Sequence, residues 1–245
     1  MTLSIIITHH RTPELLALCL KSIRENIGDV KHEIIVVDSK SEKEIQAPKV
    51  IAFKRNLGYS KIVNAGIKQA KGDYILILNA DIVVLKDSIQ EMIKYMEQNP
   101  DIGILGPQLL DSSDNIQISC FSRPSLGTIL ARRTLFGKTR WGKKILRQFT
   151  ISDWDRKSIR KVDWIQGSAM MVWKKAIKKA GLLDERFFMY FEDVDWCRRF
   201  WESGYKVVYL PKAQMVHYYQ RRSKKLNKYT FIHIISALKY FWKYL

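Results

Sequence analysis

The sequence predicts an α/β fold with a mostly parallel central sheet. Two observations carry that expectation. Short, unbroken apolar runs rich in β-branched residues read as buried strands, and stretches with apolar residues at helical spacing separate them. Strands joined in this way pair in parallel and are covered by their helices. With 245 residues, 47% of them apolar and 27% charged, the chain is long enough to bury a substantial core.

The first strand is LSIIIT, residues 3–8. Thr12-Pro13-Glu14 then opens a helix, with Thr12 as N-cap and Pro13 at the first helical position. Leu16, Leu20, Ile23 and Ile27 follow at helical spacing. HEIIVVDS (32–39) and KVIAFK (49–54) are the next strands. SKIVNAGIKQAKG (60–72) is a helix stopped by Gly72. DYILILNA (73–80) is the fourth strand, and SIQEMIKYMEQNP (88–100) is a helix closed by Pro100. Beyond it, 101–119 reads as strand, turn, strand, and 123–161 is basic and loosely patterned. A strand is expected over 162–173 around Gly167, helices over 174–181 and 192–204, and a strand over 205–211 closed by Pro211. No linker divides residues 1–225, read as a half of 1–100 and a half of 101–225, with a tail of 226–245.

In parallel α/β sheets, ligands bind outside the carboxyl ends of the strands. Polar residues collect there. Thr8, His9, His10 and Arg11 follow the first strand, Asp38 ends the second, Arg55 and Asn56 end the third, and Asn79 and Asp81 end the fourth. Asn and Asp are also common turn residues, but four strands ending alike describe a cleft for a polar, anionic ligand. In FEDVDWCRR, Glu192, Asp193 and Asp195 crowd the start of a helix among Phe188, Tyr190, Phe191 and Trp196. One acid would serve the helix dipole. Three among aromatics are desolvated and mutually repelling, which raises a carboxyl toward use as a general base. Spacing alone does not choose among them. His217 in AQMVHYY reads as a core histidine by itself, and beside Asp81 as a ligand for Mn²⁺ or Mg²⁺.

The stretches RNLGYSKIVNAGIKQAKGDYILILNAD, GSAMMVWKKAIKKAGLLDERFFMYFEDVDWCRR and HYYQRRS resemble the family 2 inverting glycosyltransferases, and most of all their bacterial rhamnosyltransferase branch. The resemblance covers roughly residues 3–225. It implies a GT-A fold, with a Rossmann-like nucleotide-sugar-binding half, an acceptor-binding catalytic half and a helical tail. It implies Thr8, His10 and Arg11 bordering the nucleotide, Asp38 on base or ribose, and Asn56 and Asn64 along the donor. Asn79-Ala80-Asp81 stands at the family's Asp-x-Asp, with Asp81 on metal and diphosphate and His217 as second metal ligand. Asp193 matches the base, with Glu192 and Asp195 tuning it, and Trp164, Gly167, Ser168 and Tyr190 lie on the acceptor side. The chain departs from the pattern at Asn79, at His9-His10 where relatives carry Tyr-Asn, and at Asp38-Ser39-Lys40-Ser41. The implied partners are a nucleotide diphosphate sugar, with dTDP-rhamnose or a UDP-sugar as donor, and a saccharide or polyprenyl-diphosphate-linked acceptor. A homologue that binds nucleotide sugar without catalysis is the alternative.

The net charge of +18 sits in two blocks: 123–161 holds twelve Lys/Arg against two Asp, and 212–245 holds eight with no acid. Such blocks meet polyanions. No recognised nucleic-acid motif is present, and the acid cluster would repel phosphates, so an anionic membrane is the expected partner. In KYTFIHIISALKYFWKYL, Phe231, Ile234, Ile235, Leu238, Phe241, Trp242 and Leu245 recur at helical spacing, as in an interfacial helix. A helix packed on its own domain, or joining a homodimer, shares that pattern. MTLSIIITHH lacks the basic start of a signal peptide, and no apolar run approaches the roughly 18 residues of a span. A cytoplasmic location, peripheral on the inner face of the membrane, is expected. Three scattered cysteines fit free thiols in a reducing compartment.

Overall fold

The computed structural model describes residues 2–41, 45–218 and 228–245. The element order opens with β1 (Leu3–His9), α1 (Pro13–Asn26), β2 (His32–Ser39), β3 (Val50–Phe53), α2 (Tyr59–Gln69), β4 (Tyr74–Asn79), β5 (Ile82–Val84) and α3 (Ser88–Gln98). It continues with β6 (Ile102–Leu110), β7 (Ile116–Gln117), β8 (Cys120–Phe121), α4 (Leu126–Arg133), α5 (Arg140–Thr150), β9 (Arg160–Lys161), β10 (Trp164–Ile165) and β11 (Ala169–Trp173). It closes with α6 (Lys174–Ala180), α7 (Glu192–Glu202), β12 (Lys206–His217) and α8 (Lys228–Lys243).

The main sheet runs β3-β2-β1-β4-β11-β6-β12-β5. Its first four strands are parallel, as the alternation of strands and helices requires. The second half is mixed: β11 lies antiparallel to β4 and β6, and β12 is parallel to β6 but antiparallel to β5. Both faces of the sheet are covered. Leu3, Ile5 and Ile7 of β1 point into one core with α1 and α3, and Ile6 points into the other with α2, α6 and α7. That double burial is why these strands read as continuous apolar runs rather than alternating ones.

Several elements differ from expectation. The strand expected over 162–173 is two: β10 pairs with β8, and β11 joins the main sheet after the Gln166-Gly167-Ser168 bend. Pro211 does not close β12, because the ladder to β6 shifts register between Leu210 and Gln214, and proline is tolerated at such an irregularity. The loosely patterned 123–161 holds α4 and α5. Thr12 makes no side-chain cap, although Pro13 starts α1 as expected. α2 ends at Gln69, before Gly72, and Gly72 instead lies against the backbone of Leu3 and Ser4, where no Cβ fits.

The C-terminal helix packs on the domain through a face other than the apolar stripe, of which Phe241 alone joins the packed cluster. Ala237 and Tyr240 pack with Phe187, Phe191 and Val194, and Thr230, His233 and Ser236 are also buried. Of the expected stripe, Leu238 is 63% and Trp242 83% exposed. Each such side chain left in water forgoes about 1.5–3 kcal/mol of burial. Polar anchors decide the orientation. Lys243 Nζ reaches Asp184 (2.8 Å) and Asp195 (2.5 Å), Tyr244 donates to Asp195 (2.8 Å), and Ser236 donates to the Met189 carbonyl (2.8 Å). Among the described residues, no helix is long and apolar enough to cross a membrane.

Candidate active site

The carboxyl ends of β1 and β4 meet in the parallel ladder, with Thr8 opposite Asn79. The Thr8 hydroxyl donates to Asn79 Oδ1 (2.9 Å), Ala80 N–H to the Thr8 carbonyl (3.0 Å), and Asn79 N–H to the Ser168 carbonyl (2.8 Å). One floor therefore joins β1, β4 and the bend before β11. β5 then pairs with the end of β12, His217 opposite Ile82, and Tyr218 N–H donates to the Asp81 carbonyl. This pairing brings His217 Nε2 to 3.6 Å from Asp81 Oδ1 across a long sequence separation.

Gln117 sets the tautomer of His217. Its amide N–H donates to the His217 carbonyl (2.8 Å), so its Oε1 faces His217 Nδ1 (3.1 Å). An acceptor there requires the proton on Nδ1 and leaves the Nε2 lone pair turned toward Asp81. Burial pushes the imidazole down to about 4, so it is neutral near pH 7. A lone pair and a carboxylate oxygen at this distance favour a cation between them. The pair suits Mn²⁺ or Mg²⁺, but among the described residues no further His, Cys, Asp or Glu completes a cluster of three. Other oxygens would have to come from a bound anion.

The three acids of α7 have three environments. Glu192 is buried, its Oε2 has no hydrogen-bond partner among the described residues, and burial with the nearby Asp193 and Asp195 holds it well above the usual carboxylate range. Asp195, fully buried, is consumed by Arg199 (2.8 Å), Lys243 and Tyr244. Asp193 accepts from Gly167 N–H (3.0 Å) and Val194 N–H (2.8 Å), and burial pushes it up to about 6. Just before it, Tyr190 and Phe191 both hold left-handed φ (69° and 67°), a costly backbone for non-glycine residues.

Tyr59, at the start of α2, connects the two groups. Its hydroxyl donates to the Gly167 carbonyl, and burial together with the charges of Glu192, Asp193 and Asp81 pushes its pKa up. Gly167 N–H holds Asp193 and the adjacent Ser168 carbonyl holds Asn79, two residues before Asp81, so one bend ties the two acids' segments together. Sequence reasoning missed Tyr59 and Gln117. Neither stands in a motif, and only the fold brings them to Gly167 and His217.

Other expected site residues are used differently. Asp38 is taken up internally: it accepts from His9 Nδ1 (2.8 Å), the Ser41 hydroxyl (2.6 Å) and Ser41 N–H (3.0 Å), while Thr12 N–H donates to His9 Nε2 (3.0 Å). His9-His10 and Ser41 thus rebuild this corner, leaving Asp38 as a brace. His10 Nδ1 binds the Ser39 carbonyl, and exposed Arg11 reaches the Lys40 carbonyl (3.4 Å). Asn56 is exposed and folds its own turn by accepting from Gly58 N–H (2.9 Å). Buried Asn64 clamps Leu183 through both backbone atoms (2.9 and 3.0 Å) and reaches Glu185. Asp195 anchors Arg199, Lys243 and Tyr244. On the other side, Trp164 stacks on Phe121 with centroids 4.5 Å apart, Ser168 is buried in the floor, and Tyr190 lies 5.2 Å from the His233 ring.

Comparison with known proteins places this architecture. Residues 4–145 match the model of glycosyl transferase family 2. The chain is 30% identical to the N-acetylglucosaminyl-diphospho-decaprenol L-rhamnosyltransferase of Mycobacterium tuberculosis over 66% of its own length, spanning 56% of that relative. It is 26% identical to the rhamnosyltransferase WbbL of Escherichia coli, over 96% of this chain and 91% of that one. Among solved structures, GalNAc-T7 with UDP, GalNAc and Mn²⁺ superposes with a TM-score of 0.68 at 14% identity, covering 97% of this chain and 47% of that one. A mannosyltransferase from Pyrobaculum calidifontis with GDP-Man and Mn²⁺ gives 0.58 at 16% identity, covering 90% of this chain and 57% of that one. With a fold of the GT-A type and a family match over more than half its length, the chain belongs to glycosyl transferase family 2.

Proposed function

We propose that the protein transfers a sugar from a nucleotide diphosphate sugar to a hydroxyl of a saccharide, in cell-surface polysaccharide synthesis. The observation that carries this reading is Asp193: a carboxyl raised to about 6 and held by Gly167 N–H, at the bend whose next residue, Ser168, binds the end of β4. A base needs a pKa near its working pH. The donor half is residues 1–100 and the acceptor half 101–225, with Trp164, Gly167, Ser168 and Tyr190 on the acceptor side. The names of the relatives favour rhamnose as the sugar, and that of the mycobacterial relative an acceptor linked to a polyprenyl diphosphate; dTDP-rhamnose is the donor proposed here. A UDP-sugar is the second reading of the donor, because Asp38 is committed to His9 and Ser41 and does not select a base by its carboxylate.

In the proposed reaction Asp193 takes the proton of the acceptor hydroxyl as that oxygen attacks the anomeric carbon. The nucleotide diphosphate leaves from the opposite face, inverting the configuration. Glu192, kept neutral, avoids a second negative charge beside the base. Mn²⁺ or Mg²⁺ held by Asp81 and His217 would neutralise charge on the leaving diphosphate. Thr8 and Asn79 shape the floor beneath the donor. The test is a panel of dTDP-, UDP- and GDP-sugars with a lipid-linked saccharide acceptor, the product's anomeric configuration being read by NMR. Transfer with inversion supports the reading. Retention, or donor binding without transfer to any acceptor, overturns it.

A further inference from the structure

The geometry points to a composite lipid-docking surface, formed by α4 and α5 together with the outward face of α8, whose partner is an anionic bilayer. This deepens the proposed function, since a lipid-linked acceptor resides at such a surface, but its physical basis is separate.

Two segments far apart in sequence join here. Ile129 of α4 packs into the cluster of Phe191, Ala237 and Tyr240 that seats α8, and Arg132 and Arg133 lie close enough to repel a proton from His233. Both segments turn large apolar side chains to solvent. On α8 these are Leu238 (63%) and Trp242 (83%), and on the other segment Leu135 (75%) and Trp141 (73%). Beside Leu135 and Trp141 in sequence, Lys138, Arg140, Lys143 and Lys144 are all exposed. No acid occurs within 123–152 or after 211.

The charge selects the occupant. A second copy applying the same face would set one cationic block against another, and the carboxylate beside it, Asp153, is already paired with Arg147 (2.6 Å). Nucleic acid would meet the cations but leave the Trp and Leu side chains without an apolar environment. A bilayer with anionic headgroups satisfies both, with Trp at headgroup depth and cations beside the phosphates. α8 is about 24 Å long as a helix of 16 residues, and its inner face is already packed, so it lies in the interface plane. The same cluster contains Val194 and Phe191, the neighbours of Asp193, which puts the docking surface on the base's side of the molecule.

Cosedimentation of the full chain with vesicles, without donor or acceptor, tests this apart from catalysis. Phosphatidylcholine vesicles with and without 30% phosphatidylglycerol (~30%, enough for a negative surface potential) are compared at low and high salt. Binding to the anionic vesicles should be more than tenfold tighter and fall with salt. Leu238→Ser with Trp242→Ser, and separately Leu135→Ser with Trp141→Ser, should each weaken it more than tenfold. All four positions are exposed, and unchanged thermal melts would show that the variants fold. Equal binding by the Leu135/Trp141 variant overturns the composite surface. So does an ultracentrifugation dimer that dissociates in the Leu238/Trp242 variant, with no vesicle binding by the parent chain. Vesicle binding without transfer to any acceptor would sink the proposed function and leave the surface standing.

Discussion

Asp193 is held as a partly buried carboxyl at about 6, above its ordinary value, and this has two opposite consequences. Activity should fall as pH drops below about 6, because the protonated acid cannot accept the acceptor's proton. Stability moves the other way. An unfolded chain ionises this group near the ordinary carboxylate value, so the folded state loses stability as pH rises from there through about 6. Asp193→Asn should lower kcat by roughly 10²–10⁴, with donor affinity unchanged by calorimetry. A variant that keeps most of its turnover removes Asp193 as the base. Gln117→Leu tests the proposed metal pair. It deletes the acceptor that fixes His217's tautomer and should weaken Mn²⁺ affinity by about 10–100-fold, as read by calorimetry in the presence of nucleoside diphosphate. Asp81 and Asp193 were legible in the sequence because each acid follows an apolar or aromatic run, where a charge needs a reason. Tyr59 and Gln117 were not, since a tyrosine opening a helix and a glutamine in a short strand carry no such conflict.

Among the elements, β1, β2 and β4 were legible because burial on both faces leaves an unbroken apolar signature. α8 was legible as a helix with an apolar stripe, but the residues of its packed face were not. Periodicity gives the apolar stripe, whereas the packed face was chosen by Lys243, Tyr244 and Ser236 meeting Asp195 and Met189. These partners lie on other elements and leave no trace in the helix's own spacing. α8 thereby clamps the head of α7, directly after the left-handed Tyr190-Phe191 pair. Lys243→Ala leaves buried Asp195 with Arg199 and Tyr244 alone, and should cost about 1–3 kcal/mol. That corresponds to about 2–4 °C of melting temperature per kcal/mol in a chain of this size. Because Asp193 sits in the same turn, kcat should drop more than donor affinity. Equal losses in both would make the clamp a matter of global stability alone.

For the whole molecule, the proposed metal pair of Asp81 and His217 is drawn from two distant parts of the chain, and among the described residues no third His, Cys, Asp or Glu joins it. Mn²⁺ alone should bind weakly, and at least about tenfold more tightly with a nucleoside diphosphate, whose oxygens supply further ligands. Asp81→Ala should abolish that gain, and chelation should abolish turnover; full activity in chelator would exclude the metal role. The seam between the two halves has a different consequence. Tyr59 N–H donates to the Phe188 carbonyl, the Ser60 hydroxyl to the Phe187 carbonyl, and Asn64 holds Leu183. Gly58 lies against Phe188 where no Cβ fits. Residues 1–100 and 101–225 are therefore not interchangeable cassettes. A chimera that exchanges residues 1–100 between two family members breaks this seam, unless residues 183–188 travel with the half they grip. The recombination boundary for grafting a new donor preference onto this scaffold is thus discontinuous in sequence, and follows the backbone contacts of α2.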